Sequence, residues 1–201
     1  MNLSDPSFFY EEMTSAIGNK ILSLLQASVK KHEDYIDWIY PIKISDDFFE
    51  VNWSYDVKRI KQKDALGWDI YAQAGLNSMC APSIDITLFI EKGKWIKRHS
   101  IAKSELFGVI AHELHHIAQN NGVLSKLRKA EVDDAYSYFL DPAECEAFLI
   151  GFRAQSHYSG RHVADCMSEY LAPRVAQGYL TQSQKDKIIN TWLTVKWCDI
   201  E

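Results

Sequence analysis

Two histidines four residues apart, with a glutamate directly after the first, are the residues best suited to chemistry. They are His112, Glu113 and His116, in the segment HELHH. Residues four apart on an α-helix lie on the same face, so both imidazoles can bind one metal ion. Zinc lowers the pKa of a bound water to near neutrality, and Glu113 is placed to accept its proton. The spacing therefore predicts a Zn²⁺ site with Glu113 as general base, while His115 is expected to point outward.

A catalytic zinc site needs a third protein ligand and leaves its fourth position to water. The downstream candidates are two histidines and three glutamates: His157, His162, Glu131, Glu144 and Glu146. No histidine follows the motif closely, so a glutamate on the next helix fits better. Asp141 and Glu144 also have the spacing of a reciprocal helix cap, in which Glu144 would bond back to the backbone. Glu146 would then be the alternative ligand, and both assignments stay open at this stage.

The segment HELHH followed by E-C-E-A at residues 144–147 resembles the gluzincin metallopeptidases, in which a second helix carries the third ligand. The flanking D-P-A-E at 141–144 is similar to small bacterial and phage-encoded zincin-like proteins. The resemblance covers residues 83–152, about a third of the chain. It implies zinc bound by His112, His116 and Glu144. Phe148 departs from the pattern, because many relatives carry aspartate at that position.

The same resemblance implies where a substrate binds. The segment SIDITLFI, at residues 83–90, would be the strand at the edge of the cleft. An extended peptide or protein substrate would lie along it as an added strand, held by backbone hydrogen bonds.

A peptidase also needs a group that stabilises the developing oxyanion. His157 and Tyr158 follow the second helix in the segment SHYSGRH and are candidates for this catalytic role. A polar loop with a packed tyrosine is the competing interpretation.

Composition limits the class of protein. The chain has 201 residues, is 47% hydrophobic and carries a formal net charge of -5. This size suits one domain over residues 1–201 that folds without disulfides, and mild acidity disfavours a nucleic-acid partner. We identify no secretory signal and no apolar run of the roughly 18 residues that span a bilayer. A cytoplasmic protein without a membrane partner is therefore expected.

The order of predicted elements indicates the fold class. A helical arm covers residues 1–35, and the strand-like segments FFEVNWSY, GWDIYAQA and SIDITLFI follow between about 48 and 91. Helices are predicted over residues 101–120, from Asp141-Pro142 toward Arg153, and after Thr181. This order predicts an α+β fold. In the zincin-like version, a small twisted sheet covers the HExxH helix, the C-terminal half is mainly helical and the N-terminal helix packs outside.

The expected function is a zinc metallopeptidase. One alternative is a structural or regulatory zinc-binding module without turnover, for example a phage or virion component. Another is a zinc amidase acting on a non-protein substrate. Glu113 disfavours the first alternative, because a purely structural metal site needs no base. The zinc chemistry itself does not separate the second alternative from a peptidase.

Overall fold

The computed structural model describes residues 6–31, 35–44, 47–56, 68–76, 82–90, 99–119 and 134–194. Strands and helices follow one another in the order α1 (Pro6–Lys31), β1 (Tyr35–Ile44), β2 (Asp47–Asp56), β3 (Trp68–Leu76), β4 (Pro82–Ile90), α2 (His99–Gln119), α3 (Ala135–Phe139), α4 (Pro142–Ser159), α5 (Val163–Ala176) and α6 (Gln182–Thr194). Strands lie together in the first half and helices follow, so the α+β class is confirmed. None of the described helices is long and apolar enough to cross a membrane.

The strands form one four-stranded sheet in the order β1-β2-β4-β3. β4 runs parallel to β2, with Val51 opposite Ile84, and antiparallel to β3, with Ala74 opposite Ile84. Strand β1 was not predicted, because apolar residues occupy both of its faces and Pro41 interrupts the run. Proline is tolerated there because β1 lies at the edge of the sheet.

This topology corrects the expected position of the cleft edge. The segment 83–90 belongs to β4, whose two edges are both paired, one with β2 and the other with β3. A peptide cannot add to a strand whose backbone groups on both sides are already paired. Among the described strands, β3 and β1 form the two edges of the sheet, and β3 is the one next to α2.

The main core lies between the sheet and α2. Side chains of β4 pack against apolar residues of α2 in one cluster: Ile84, Ile86, Leu88, Leu106, Phe107, Ile110 and Leu114. Ile17, Ile21 and Leu22 of α1 belong to the same cluster. The N-terminal helix was expected to pack outside the domain, but it instead buries one face in the core. Its Gly18 lies directly over the ring of Phe107.

The C-terminal helices form a second core cluster around Phe148, Phe152 and Trp192. Asp141 caps α4, since its carboxylate accepts hydrogen bonds from the N–H groups of Ala143 and Glu144, as predicted. The helix runs beyond Arg153 to Ser159, because Gly160, with φ of 69°, is the first residue that ends it. Helix α5 was not predicted, and its His162 N-cap makes no side-chain capping bond.

Candidate metal centre

Two imidazoles and one carboxylate converge between α2 and α4. The Nε2 atoms of His112 and His116 are 3.0 Å apart. The carboxylate of Glu144, in the first turn of α4, has one oxygen 3.5 Å from His112 Nε2 and the other 3.5 Å from His116 Nε2. These three side chains are mostly buried, with 8–19% of their surface exposed. The structure thus brings together the three residues predicted as ligands.

The separations within this cluster suit a bound metal ion better than an ion pair. Ligands about 2.0–2.1 Å from a tetrahedral metal lie roughly 3.3 Å from one another. The observed distances of 3.0 and 3.5 Å bracket that value. Glu144 Oε2 is buried, and among the described residues it has the 3.5 Å approach of His112 Nε2 but no hydrogen bond of normal geometry. An orphaned buried carboxylate oxygen is costly, and a cation among these donors would remove that cost. The residues present therefore fit a metal ion.

The same contacts shift the pKa values of two of these groups. Burial works against the charged forms, but the polar contacts with His112 and His116 hold the pKa of Glu144 well below its ordinary value. Burial lowers the pKa of His116, but the hydrogen bond and negative charge of Glu144 raise it by more, so the pKa of this imidazole is raised overall. Glu144 is thus a carboxylate at neutral pH, the form that binds a metal.

Two glycines allow α4 to approach α2 closely enough for this convergence. A Cβ on Gly151 would lie 2.8 Å from the carbonyl oxygen of Gly108, and a Cβ on Gly108 would lie 2.9 Å from the carbonyl oxygen of Gly151. Both distances are shorter than real side chains tolerate. The Gly151 position would also meet His112 Cβ at 3.2 Å. The backbones of the two helices are therefore in direct contact one turn before the first histidine.

The structure distinguishes Glu144 from Glu146, the two glutamates that the sequence left as alternative third ligands. The Asp141 N–H donates to the Tyr138 carbonyl oxygen instead of to Glu144, so no reciprocal cap forms and the Glu144 carboxylate points at His112 and His116. Glu146 lies on another side of α4, where Oε2 is 3.0 Å from Gln119 Nε2 and 3.5 Å from His115 Nε2. His115 was expected to point outward, but it is 2% exposed. It packs beneath α4 because Glu146 offers a partner there.

Glu113 connects the motif to the edge strand. Its Oε2 accepts a hydrogen bond of 2.6 Å from the backbone N–H of Ala74 in β3, and the residue is 7% exposed. Because backbone groups alternate along a strand, the peptide groups of Ile70 and Ala72 face the same side as that N–H. Glu113 is thus held beside the histidines by a fixed backbone donor.

A cavity of about 640 Å³ opens in front of these residues. Its walls come from β3, α2, α4 and α5, and they include Ile70, Ala72, His112, Glu113, Phe148 and Tyr170. Phe148 occupies the position where an aspartate was expected from the resemblance, and its ring packs at 4.7 Å from that of His112. The surroundings of His112 are therefore apolar on that side. Tyr138 also lines the cavity, and burial together with the charge of Glu144 raises the pKa of its hydroxyl.

His157 and Tyr158, the predicted oxyanion candidates, are not brought to this cleft. Both lie at the far end of α4, where His157 Nε2 is 3.3 Å from Glu11 Oε1 and the Tyr158 hydroxyl contacts Ser15. The Tyr158 ring also packs 4.2 Å from Phe107. Their role in the structure is to attach α1 to α4. They lie away from the cleft because α4 continues beyond Arg153 to Ser159.

The other candidate ligands also lie elsewhere. His162 is the exposed N-cap of α5, and Glu131 lies outside the described residues. Sequence reasoning missed Gln119, which hydrogen-bonds to His116, although its position three residues after that histidine places it on the same helix face. Only the three-dimensional structure shows Tyr138 beside Glu144.

Comparison with known proteins adds no assignment. No family model matches the chain, and neither a curated protein nor a solved structure is significantly similar to it. The candidate metal centre is therefore interpreted from the arrangement of its own residues.

Proposed function

We propose that this protein is a zinc-dependent metallopeptidase with a zincin-like fold. The observation that carries the proposal is the convergence of His112, His116 and Glu144 with Glu113 held beside them. Two imidazoles and one carboxylate are a ligand set that catalytic zinc sites use. Bound zinc supplies a Lewis acid that polarises a carbonyl and lowers the pKa of water.

The residues of this chain account for the proton transfers. Glu113 accepts a proton from the water that adds to the substrate carbonyl carbon. It then delivers that proton to the amide nitrogen as the carbon–nitrogen bond breaks. The Ala74 N–H holds one oxygen of Glu113, so the other can face the water. A fixed orientation of this kind lowers the entropy cost of reaching the transition state.

The edge of β3 is the proposed place for the substrate backbone. Ile70 and Ala72 line the cavity next to Glu113, and their peptide groups face the cleft. An extended peptide or protein substrate can pair with them as an added strand. Compared with the expected segment 83–90, the proposed binding strand moves by one to β3, residues 68–76, which pairs with β4 alone among the described strands.

An open coordination sphere favours catalysis over a structural zinc module. A structural site normally has four protein ligands. Within the described part of the chain, three donors converge, and the nearby Cys145 sulfur is turned toward the Phe139 carbonyl instead. His115 is directed to Glu146. A zinc ion held by these three side chains would keep a fourth position for water.

Two measurements on the purified protein test the proposal. Metal content should be near one zinc per chain in the wild type and in Glu113→Gln, and should fall in His116→Ala and Glu144→Ala. Digestion of a mixed peptide library, followed by mass spectrometry, should show cleavage by the wild type and none by Glu113→Gln. Glu12→Gln, which changes an exposed glutamate of α1, is the matched control and should cleave normally.

The outcomes separate the alternatives. A wild type that binds zinc but cleaves no peptide would be a non-catalytic module or an amidase of another substrate. Equal cleavage by wild type and Glu113→Gln would refute the assigned base. A wild type that takes up no zinc after incubation at neutral pH would overturn the metal site.

A further inference from the structure

Gln119, the last residue of α2, makes three hydrogen bonds, one to His116 within α2 and two to α4. Its Oε1 is 3.0 Å from His116 Nδ1. Its Nε2 is 3.0 Å from the carbonyl oxygen of Ala143 and 3.0 Å from Glu146 Oε2. Ala143 directly precedes Glu144, so one side chain contacts both one ligand and the peptide unit next to another.

Chemistry determines how the Gln119 amide is oriented. A backbone carbonyl oxygen and an ionised carboxylate oxygen only accept hydrogen bonds, so the amide nitrogen must be the group that faces them. The amide oxygen is therefore the atom that faces His116. Because an amide oxygen only accepts, His116 Nδ1 must carry the proton in this contact.

We propose that Gln119 is a positioning residue, which fixes His116 in the Nδ1–H tautomer and so presents the lone pair of Nε2 to the metal. This inference rests on the proposed metal site. His116 Nε2 is the atom that lies 3.0 Å from His112 Nε2 and 3.5 Å from Glu144 Oε1. A proton on Nε2 would block coordination. The bond from Gln119 to the Ala143 carbonyl also holds the first turn of α4 against the end of α2.

Partners that orient a metal-binding histidine typically change metal affinity by about 10–100-fold when they are removed. We therefore expect Gln119→Met, which keeps the length of the side chain but makes none of these hydrogen bonds, to weaken zinc binding about 10–100-fold. Affinity is measured by competition with a chelator of known zinc affinity. Glu146→Gln is the matched control, since its amide oxygen still accepts from Gln119, and its affinity should stay within about threefold of the wild type.

A charge-exchanged pair provides a rescue. In Gln119→Glu combined with Glu146→Gln, residue 119 still accepts from His116, and the new amide at 146 can donate to it. The net charge is unchanged. Because a carboxylate at 119 cannot donate to the Ala143 carbonyl oxygen, we expect this double variant to regain part of the affinity that Gln119→Met loses, through the restored bond to His116.

The tautomer itself is read by nitrogen-15 NMR of the metal-free protein, at a pH where the imidazoles are neutral. His116 is assigned by comparison with His116→Ala. The wild type and the double variant should show the proton on Nδ1, and Gln119→Met should show a shift toward Nε2–H. An unchanged tautomer in Gln119→Met would overturn the inference, even if zinc binding weakens.

This design separates the inference from the proposed function. If no form of the protein bound zinc, the proposed function would fail. The NMR result would still decide whether Gln119 sets the tautomer of His116.

Discussion

The close contact between Gly108 and Gly151 predicts a specific effect of adding one methyl group. In Gly151→Ala the new Cβ would start 2.8 Å from the Gly108 carbonyl oxygen, whereas ordinary contact begins at 3.4 Å. The two helices must therefore separate by about 0.6 Å, the difference between these distances. Overpacking of this kind costs about 1–3 kcal/mol, and the higher helix propensity of alanine offsets up to about 1 kcal/mol. We expect a net loss of about 1 kcal/mol in the free energy of unfolding.

The effect on metal binding should be larger than the effect on stability. Metal–ligand distances are tolerated within about 0.2 Å, so a displacement of α4 moves Glu144 beyond that tolerance. The new methyl would also press on His112 Cβ, which starts 3.2 Å away. We expect zinc affinity to fall about tenfold or more, by analogy with the loss of supporting contacts around metal ligands. Chelator competition measures the affinity, and urea unfolding of the metal-free protein measures the stability.

Gly18→Ala is the matched control for this experiment. The added Cβ would meet the Phe107 ring at 2.5 Å, so Gly18→Ala overpacks the contact between α1 and α2. Gly151→Ala instead overpacks the contact between α2 and α4. It should lower stability while leaving zinc affinity close to that of the wild type. If Gly151→Ala folds and binds zinc as tightly as the wild type, the glycine contact does not set the position of Glu144 and the reasoning is refuted.

Three further changes test other parts of the structure. Asp141→Ala removes the cap of α4 and should lower the unfolding free energy by about 0.5–2 kcal/mol in thermal unfolding; an unchanged midpoint would contradict the capping role. Glu144 raises the pKa of His116, so the contact between them stabilises the folded protein below the ordinary pKa of histidine. This contribution is lost as pH rises through the raised pKa of His116. Metal-free wild type should therefore exceed Glu144→Gln in stability by more at about pH 5.5 than at about pH 8.5 in urea unfolding, and the opposite trend would refute this coupling. His157→Ala removes an exposed contact with Glu11, so the rate of peptide cleavage should be unchanged. A large loss of cleavage would show that His157 acts in catalysis.

The sequence alone identified the features that depend on local periodicity. The spacing of His112 and His116 places both on one helix face, and Asp141-Pro142 marks the start of the next helix, as the structure confirms. The α+β class followed from the order of the segments, and SIDITLFI was recognised as a strand. Zinc and peptidase activity stay predictions until they are measured.

Only the tertiary structure decided how these elements meet. Whether Glu144 or Glu146 faces His112 and His116 depends on the rotation of α4 against α2, and Gly108 and Gly151 are in close contact where these helices meet. Which strand lies at the sheet edge depends on the parallel pairing of β2 with β4, a long-range contact that leaves no local pattern. His157 and Tyr158 were misplaced for the same reason, because helix length and direction determined that they contact α1. Periodicity is a property of neighbouring residues along the chain, whereas the candidate metal centre is formed where two separate helices cross.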